Sequence, residues 1–190
     1  KLYVSLIQAN LPQEEKFIPE LRNDHVQKQI NMTMLPEEHS PLDASHVVIW
    51  PETALPDFFQ NSMDDVIYPL LEATKQTQSD LLIGGFYADD AKNQTYNAVM
   101  RVGGDERLDV YGKQHLVPFS EYTPMLEYLR WMENFIRVPF DNLSPWPGGV
   151  IMTVAGQPMR MSVCYEDAYG ALMREGLPEA TMLVNVSNDG

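Results

Sequence analysis

The chain reads as a mixed α/β domain, a sheet or pair of sheets with helices outside. The predicted order is β-α-β-α-β-β-β-α-β-β-α-β. Short β-rich runs, such as 3–9 and 47–50, alternate with stretches of helical spacing, such as 20–34 and 63–78. Two hairpin signatures, around Gly103-Gly104-Asp105-Glu106 and Ala155-Gly156-Gln157, break the strand–helix alternation. That interruption excludes a simple doubly wound sheet. A length of 190 residues suits one domain, and no repeat or internal boundary divides it.

Each element has a local cause. Residues 3–9 alternate and form a first strand, followed by a polar loop containing Pro12. Pro19 suits the first turn of a helix running to about residue 34, which Pro36 ends. Pro51 cuts off the apolar strand 47–50, so that 52–56 becomes a rigid loop. Val66, Ile67, Leu70, Leu71 and Ala73 repeat at helical spacing. The strand 81–87 carries the double glycine Gly84-Gly85, a mark of close backbone approach. Strands 96–102 and 107–111 follow, then a loop over 113–121. Met125, Leu129, Met132 and Ile136 share one face of a helix predicted over 124–136. A hairpin pairs 150–154 with 158–163; the only cysteine, Cys164, then stands at a strand-to-helix turn. The last strand, 181–187, stops where a compact domain would still have an uncovered face. The expectation is a piece of a longer protein.

Charge narrows the function. Twenty-seven acidic residues against 13 basic give a formal net charge of −14. That argues against a nucleic-acid partner and against electrostatic docking to anionic lipid. No apolar run approaches the roughly 18 residues of a spanning helix. One cysteine excludes an intramolecular disulfide. The four histidines are scattered, so no metal and no cofactor are expected.

Three chemically useful residues each follow a strand: Glu52, Lys113 and Cys164. Each also has a plain structural reading. A lone cysteine can be a buried apolar filler, a glutamate can cap a turn, and a lysine can guard a sheet edge. Together they form a chemical set. A thiol near pKa ~8.5 needs a base to become a nucleophile. A carboxylate can take its proton, and a cation can hold the thiolate and then an oxyanion. A helix start beyond the cysteine adds backbone N–H groups for the same purpose.

The motifs Trp50-Pro51-Glu52-Thr53, Tyr111-Gly112-Lys113 and Val163-Cys164-Tyr165-Glu166 resemble the nitrilase (carbon–nitrogen hydrolase) superfamily. Glu52, Lys113 and Cys164 match its Glu-Lys-Cys triad. The longer stretches are similar to the apolipoprotein N-acyltransferase family. They are Pro51-Glu52-Thr53-Ala54-Leu55-Pro56, His115-Leu116-Val117-Pro118-Phe119-Ser120-Glu121-Tyr122-Thr123-Pro124 and Val184-Asn185-Val186-Ser187-Asn188-Asp189. One departure is Phe17, where that family is expected to carry Trp.

The resemblance implies a four-layer α-β-β-α sandwich over 1–190, incomplete at its C-terminus. It implies a catalytic domain on the periplasmic side of the bacterial inner membrane, held by flanking helices absent from this chain. It also implies the chemistry: an acyl chain passes from a phospholipid through a Cys164 thioester to the N-terminal amine of a diacylglyceryl-cysteine lipoprotein. Glu52 is then the base and Lys113 the oxyanion partner, joined by the backbone N–H of Tyr165. Glu121 positions Lys113 or the acceptor, and Glu166 is a supporting carboxylate. Met125, Leu129, Trp131 and Phe135 are candidates for a lid or lipid contact, against the alternative of ordinary core packing. Two other readings share the scaffold: a soluble amidase that hydrolyses a C–N bond with water, and a binding module without turnover.

Overall fold

The computed structural model describes residues 1–35, 40–117, 121 and 143–188. Two sheets face each other. The first contains β1 (Val4–Leu6), β2 (Val47–Ile49), β3 (Asp80–Asp89), β4 (Gln94–Val102) and β5 (Leu108–Gly112), in that spatial order. Strands β1, β2 and β3 run parallel; β4 and β5 follow as antiparallel hairpin strands. The second sheet contains β6 (Ile151–Val154), β7 (Gln157–Val163) and β8 (Met182–Val186). There, β6 and β7 form a hairpin and β8 lies parallel to β7.

Side-chain alternation explains how the sheets stack. Successive strand residues point to opposite faces. Val48, Leu81, Ile83, Ala98 and Met100 of the first sheet pack with Val26 of α1 (Arg22–Met34) and Leu70 of α3 (Tyr68–Thr77). The alternate residues Val47, Leu82, Val99 and Tyr111 turn the other way. They pack on Met152, Val154, Met159, Met161 and Val163 of the second sheet. Both faces of the first sheet are therefore covered, which is why β3 reads as a nearly continuous apolar run. Two short α-helices are also present: α2 (Pro41–Ala44), whose Ser40 hydroxyl caps the Asp43 N–H at 3.2 Å, and α4 (Gly170–Met173).

Several local expectations change in detail. β1 spans three residues rather than seven, although Ile7 N–H still donates to the Ile49 carbonyl at 2.9 Å. Asn10, at φ 50°, then turns the chain away. The predicted helix 63–78 begins as a π turn over Met63–Ile67 before α3. Pro69 supplies the reason: it has no N–H to give a regular helical bond one turn back. The first helix likewise opens with a 3-10 turn, Pro19–Leu21. The helix predicted over 124–136 lies outside the described residues, and with it Met125, Leu129, Trp131 and Phe135.

At the N-terminal end of β3 one carboxylate joins the two sheets. Asp80 accepts from Arg101 Nε at 2.7 Å, from Gly104 N–H at 3.0 Å and, across the sandwich, from Ala155 N–H at 2.6 Å. Ala155 and Gly156 both have positive φ (47° and 71°), as a two-residue hairpin turn requires. Asp80 and Arg101 are both buried. Arg101 also donates to Asp105 and Asp109, each at 2.9 Å, so losing Asp80 costs less than the about 3–5 kcal/mol of a fully stranded buried charge. Asp80→Ala leaves the Gly104 and Ala155 N–H groups without their acceptor and should lower the unfolding free energy from urea titration by about 1–3 kcal/mol. The alkylation rate of Cys164 in the folded protein, at the other end of the strands, should be unchanged.

Candidate active site

Glu52 follows β2 in a turn fixed from four directions. Trp50 is fully buried, and its indole N–H donates to Thr33 Oγ1 of α1 at 2.8 Å. Pro51 stops the strand. The turn then lies directly on Gly84 of β3. A Cβ there would come 2.7 Å from Glu52 Cα and 2.9 Å from Thr53 N, and would overlap the Pro51 carbonyl. Leu55 N–H donates back to the Gly84 carbonyl at 3.0 Å. The double glycine is thus the sequence mark of the Glu52 loop crossing its neighbour strand. Thr53 takes the left-handed conformation (φ 49°) that completes the turn.

Lys113 continues the alternation of β5 beyond Tyr111, so its side chain points between the sheets. It is buried, and its ammonium donates to Glu121 Oε1 at 2.9 Å. Glu121 Oε2 also accepts from Val117 N–H at 2.8 Å, which closes the 113–121 loop on itself. Gly112 admits the Trp146 ring against the strand; Trp146 N–H donates to the Lys113 carbonyl at 3.0 Å.

Cys164 follows β7 with φ 53°, a conformation that non-glycine residues rarely adopt and that marks stored backbone strain. Glu52, Lys113 and the backbone N–H of Tyr165 all lie close enough to act on its thiol. The Tyr165 ring itself is exposed and meets Tyr169 edge-on. Burial pushes the Cys164 thiol above its ordinary value. Glu52 pushes the same way, while Lys113 and the Tyr165 N–H oppose it. The resting cysteine is therefore a neutral thiol next to a carboxylate.

Glu166 has the most connected side chain of the region. It is fully buried and accepts from Tyr111 Oη at 2.9 Å, Gln114 N–H at 2.6 Å, His115 N–H at 3.0 Å and Val163 N–H at 2.8 Å. Burial and this neighbouring carboxylate hold the Tyr111 phenol above its ordinary pKa, so it stays a donor. One carboxylate thereby fastens the lysine loop of the first sheet to the cysteine turn of the second.

All three residues picked out after strands, together with Glu121, Tyr165 and Glu166, come together at one end of the sandwich. Two further residues carry no sequence motif. Asn97 of β4 spans the two carboxylates, its amide nitrogen 2.7 Å from Glu52 Oε1 and 3.0 Å from Glu121 Oε1. The available signal was a single amide interrupting the apolar run 96–100 of β4. Lys16, from the polar loop before α1, donates to the Glu52 carbonyl at 3.1 Å. Phe17 follows it, 39% exposed. Among the described residues, no group of acidic, cysteine and histidine side chains could hold a metal ion.

A paired-sheet sandwich bringing a glutamate, a lysine and a cysteine together matches the class to which the chain is assigned. Residues 4–190 match the carbon–nitrogen hydrolase family, and the chain belongs to it. The apolipoprotein N-acyltransferase of Methylococcus capsulatus is 36% identical over 190 residues, and that of Nitrosomonas europaea 34% over 189 residues. Each match covers 98% of this chain and 36% of the relative, so the chain spans about a third of their length. Among solved structures, a carbon–nitrogen hydrolase from Helicobacter pylori superposes with a TM-score of 0.61 at 16% identity, over 98% of this chain and 60% of that one. The fold is that of the nitrilase superfamily.

Two outcomes test this geometry. Glu52→Gln removes an anion that raises the Cys164 pKa, so the pH profile of iodoacetamide alkylation should move to lower pH. Lys113→Met removes an opposing cation and should move it to higher pH. Profiles that coincide with wild type in both variants would mean that neither charge faces the sulfur. Glu166→Gln turns an NH2 group toward the donors of Tyr111, Gln114, His115 and Val163. The expected loss is about 2–4 kcal/mol in thermal or urea unfolding.

Proposed function

We propose that the chain is the catalytic domain of an apolipoprotein N-acyltransferase, a four-layer sandwich within a longer membrane protein. The domain works on the periplasmic side of the bacterial inner membrane. Among the described residues no helix is long and apolar enough to cross a membrane, so attachment would rest with other segments. The observation that carries the reading is that Glu52 and Lys113, from two separate strand ends, both act on the Cys164 thiol. The identity to N-acyltransferases, spread over 98% of the chain, favours lipid acyl transfer over amide hydrolysis.

In the first step Glu52 takes the thiol proton as Cys164 sulfur bonds to a phospholipid ester carbonyl. The carbonyl oxygen becomes an oxyanion, stabilised by the Lys113 ammonium and the Tyr165 N–H. The carbon–oxygen ester bond then breaks. The lysophospholipid leaves with the proton held by Glu52, and a thioester remains. In the second step the α-amine of a diacylglyceryl-cysteine attacks that thioester. Glu52 accepts the amine proton and returns it to the departing thiolate as the amide forms. Glu121 and Asn97 act by position: the first holds Lys113, and the second holds the Glu52 carboxylate in line with the sulfur. A resting thiol with a raised pKa fits a nucleophile that is deprotonated only as it attacks.

Intact-mass analysis of the full-length protein incubated with phospholipid should find one acyl chain on Cys164. The adduct should be removable by hydroxylamine and missing from Cys164→Ala. Glu52→Gln should slow its formation by about 10²–10⁴-fold. A diacylglyceryl-cysteine peptide should discharge it and gain the acyl chain. Discharge at the same rate without the peptide would instead support a hydrolase of the same family, and no adduct with any phospholipid would sink the reading.

A further inference from the structure

The mechanism above leaves one buried charge without a task. Lys16 is only 7% exposed. Its ammonium meets a single hydrogen-bond acceptor among the described residues, the Glu52 carbonyl, and no carboxylate oxygen within 4.0 Å. The other cations nearby are committed. Lys113 is paired with Glu121, and Arg22 with Asp57 at 3.2 Å and Asp65 at 3.4 Å. A buried ammonium with no carboxylate in direct contact is costly; the field of Glu52 offsets only part of that, and the placement favours an anion.

Two cavities meet at this side chain. One, of about 350 Å³, is lined by Trp50, Pro51, Glu52 and Asn185, and so adjoins both the candidate base and the cysteine turn. The other, of about 370 Å³, is lined by Phe17, Ile18, Arg22, Pro56 and Asp57. Lys16 alone lines both. The charged or ionisable groups facing it are Glu52 and Cys164 on one side, and Arg22 with its neutralising Asp57 on the other. The glutamate repels an anion on the first side. The second side presents a cation that is already paired, leaving Lys16 as the open positive charge.

We propose that Lys16 recognises the phosphate of the acyl donor, holding a phosphomonoanion at the wall between the two cavities while the donor's ester lies at Cys164. The inference rests on the phospholipid reading above and names the part of the donor that this site reads. In a glycerophospholipid the phosphate and the scissile ester hang from one three-carbon unit, so a cation set beside the base can fix both. Burial pulls the Lys16 pKa down to about 8, against the opposing fields of Glu52 and Cys164. A bound anion reverses that and keeps the ammonium charged.

The test uses the full-length protein and two independent readouts. The first is alkylation of Cys164 by iodoacetamide, with sn-glycerol 3-phosphate or inorganic phosphate as probe. Glycerol 3-phosphate should slow alkylation of wild type and of Lys16→Arg. In Lys16→Met the concentration needed should rise by about 10- to 100-fold, the worth of one charge-assisted hydrogen bond. The second is the rate of acyl-enzyme formation from dioleoylphosphatidylglycerol relative to uncharged dioleoylglycerol. Lys16→Met should lower that ratio by a similar factor, and Lys16→Arg should restore most of it.

Equal protection in wild type and Lys16→Met, or none in either, would overturn the proposal. So would an unchanged donor ratio with both rates reduced, which would make Lys16 only a support for the Glu52 turn. Protection by inorganic phosphate with no change in donor ratio would mark a free-phosphate site and overturn the assignment to the lipid. If no donor acylates Cys164, the function proposed above fails, while the alkylation readout still decides whether Lys16 binds phosphate.

Discussion

The Glu166 carboxylate is the junction on which the site depends. It sits where β5 and β7 end on facing sheets and takes donors from both. Four donors converging on one ionised group inside a low-dielectric interior give short, mutually reinforcing bonds. Sheet packing by Val99, Tyr111, Met161 and Val163 brings the layers together, but apolar contacts tolerate sliding. The carboxylate does not. Its two oxygens fix where the lysine loop stands relative to the cysteine turn. The lysine charge thereby acts on the sulfur.

A second constraint acts on the base. The Glu52 loop crosses β3 at a place where only glycine fits, and its backbone carbonyl is held by Lys16. Trp50 anchors the strand end to α1, and Asn97 orients the carboxylate from β4. The three principal groups thus come from β2, β5 and β7, each braced by residues of another element. This is a rigid scaffold carrying functional groups on the loops at its strand ends.

Much of this was legible in the sequence, because each principal group follows a strand that period-two alternation identifies. The double glycine of β3 and the two hairpins were legible for the same local reasons. What lay beyond local pattern was the pairing between layers. Nothing near Asn97 in the chain announces that it bridges carboxylates 45 and 24 residues away. Lys16 stands in a polar loop where a lysine is ordinarily solvated; only the packing of α1 and the Glu52 turn buries it. Glu166 was expected from the resemblance as a supporting carboxylate, but not as a junction between sheets, since three of its four donors lie about fifty positions earlier. The shortened β1 and the π turn before α3 follow from single residues, Asn10 and Pro69, whose effect depends on the surrounding fold.

The division of the site between two sheets also bears on how the chain is made. Glu52 and Lys113 belong to the first sheet and Cys164 to the second, more than fifty residues later than either. Until the layers dock, the cysteine has no base beside it, no cation facing it and no reason to hold its left-handed backbone. A nascent or half-folded chain therefore carries an unremarkable thiol. The surroundings that make it a candidate nucleophile are assembled only when the two sheets pack together.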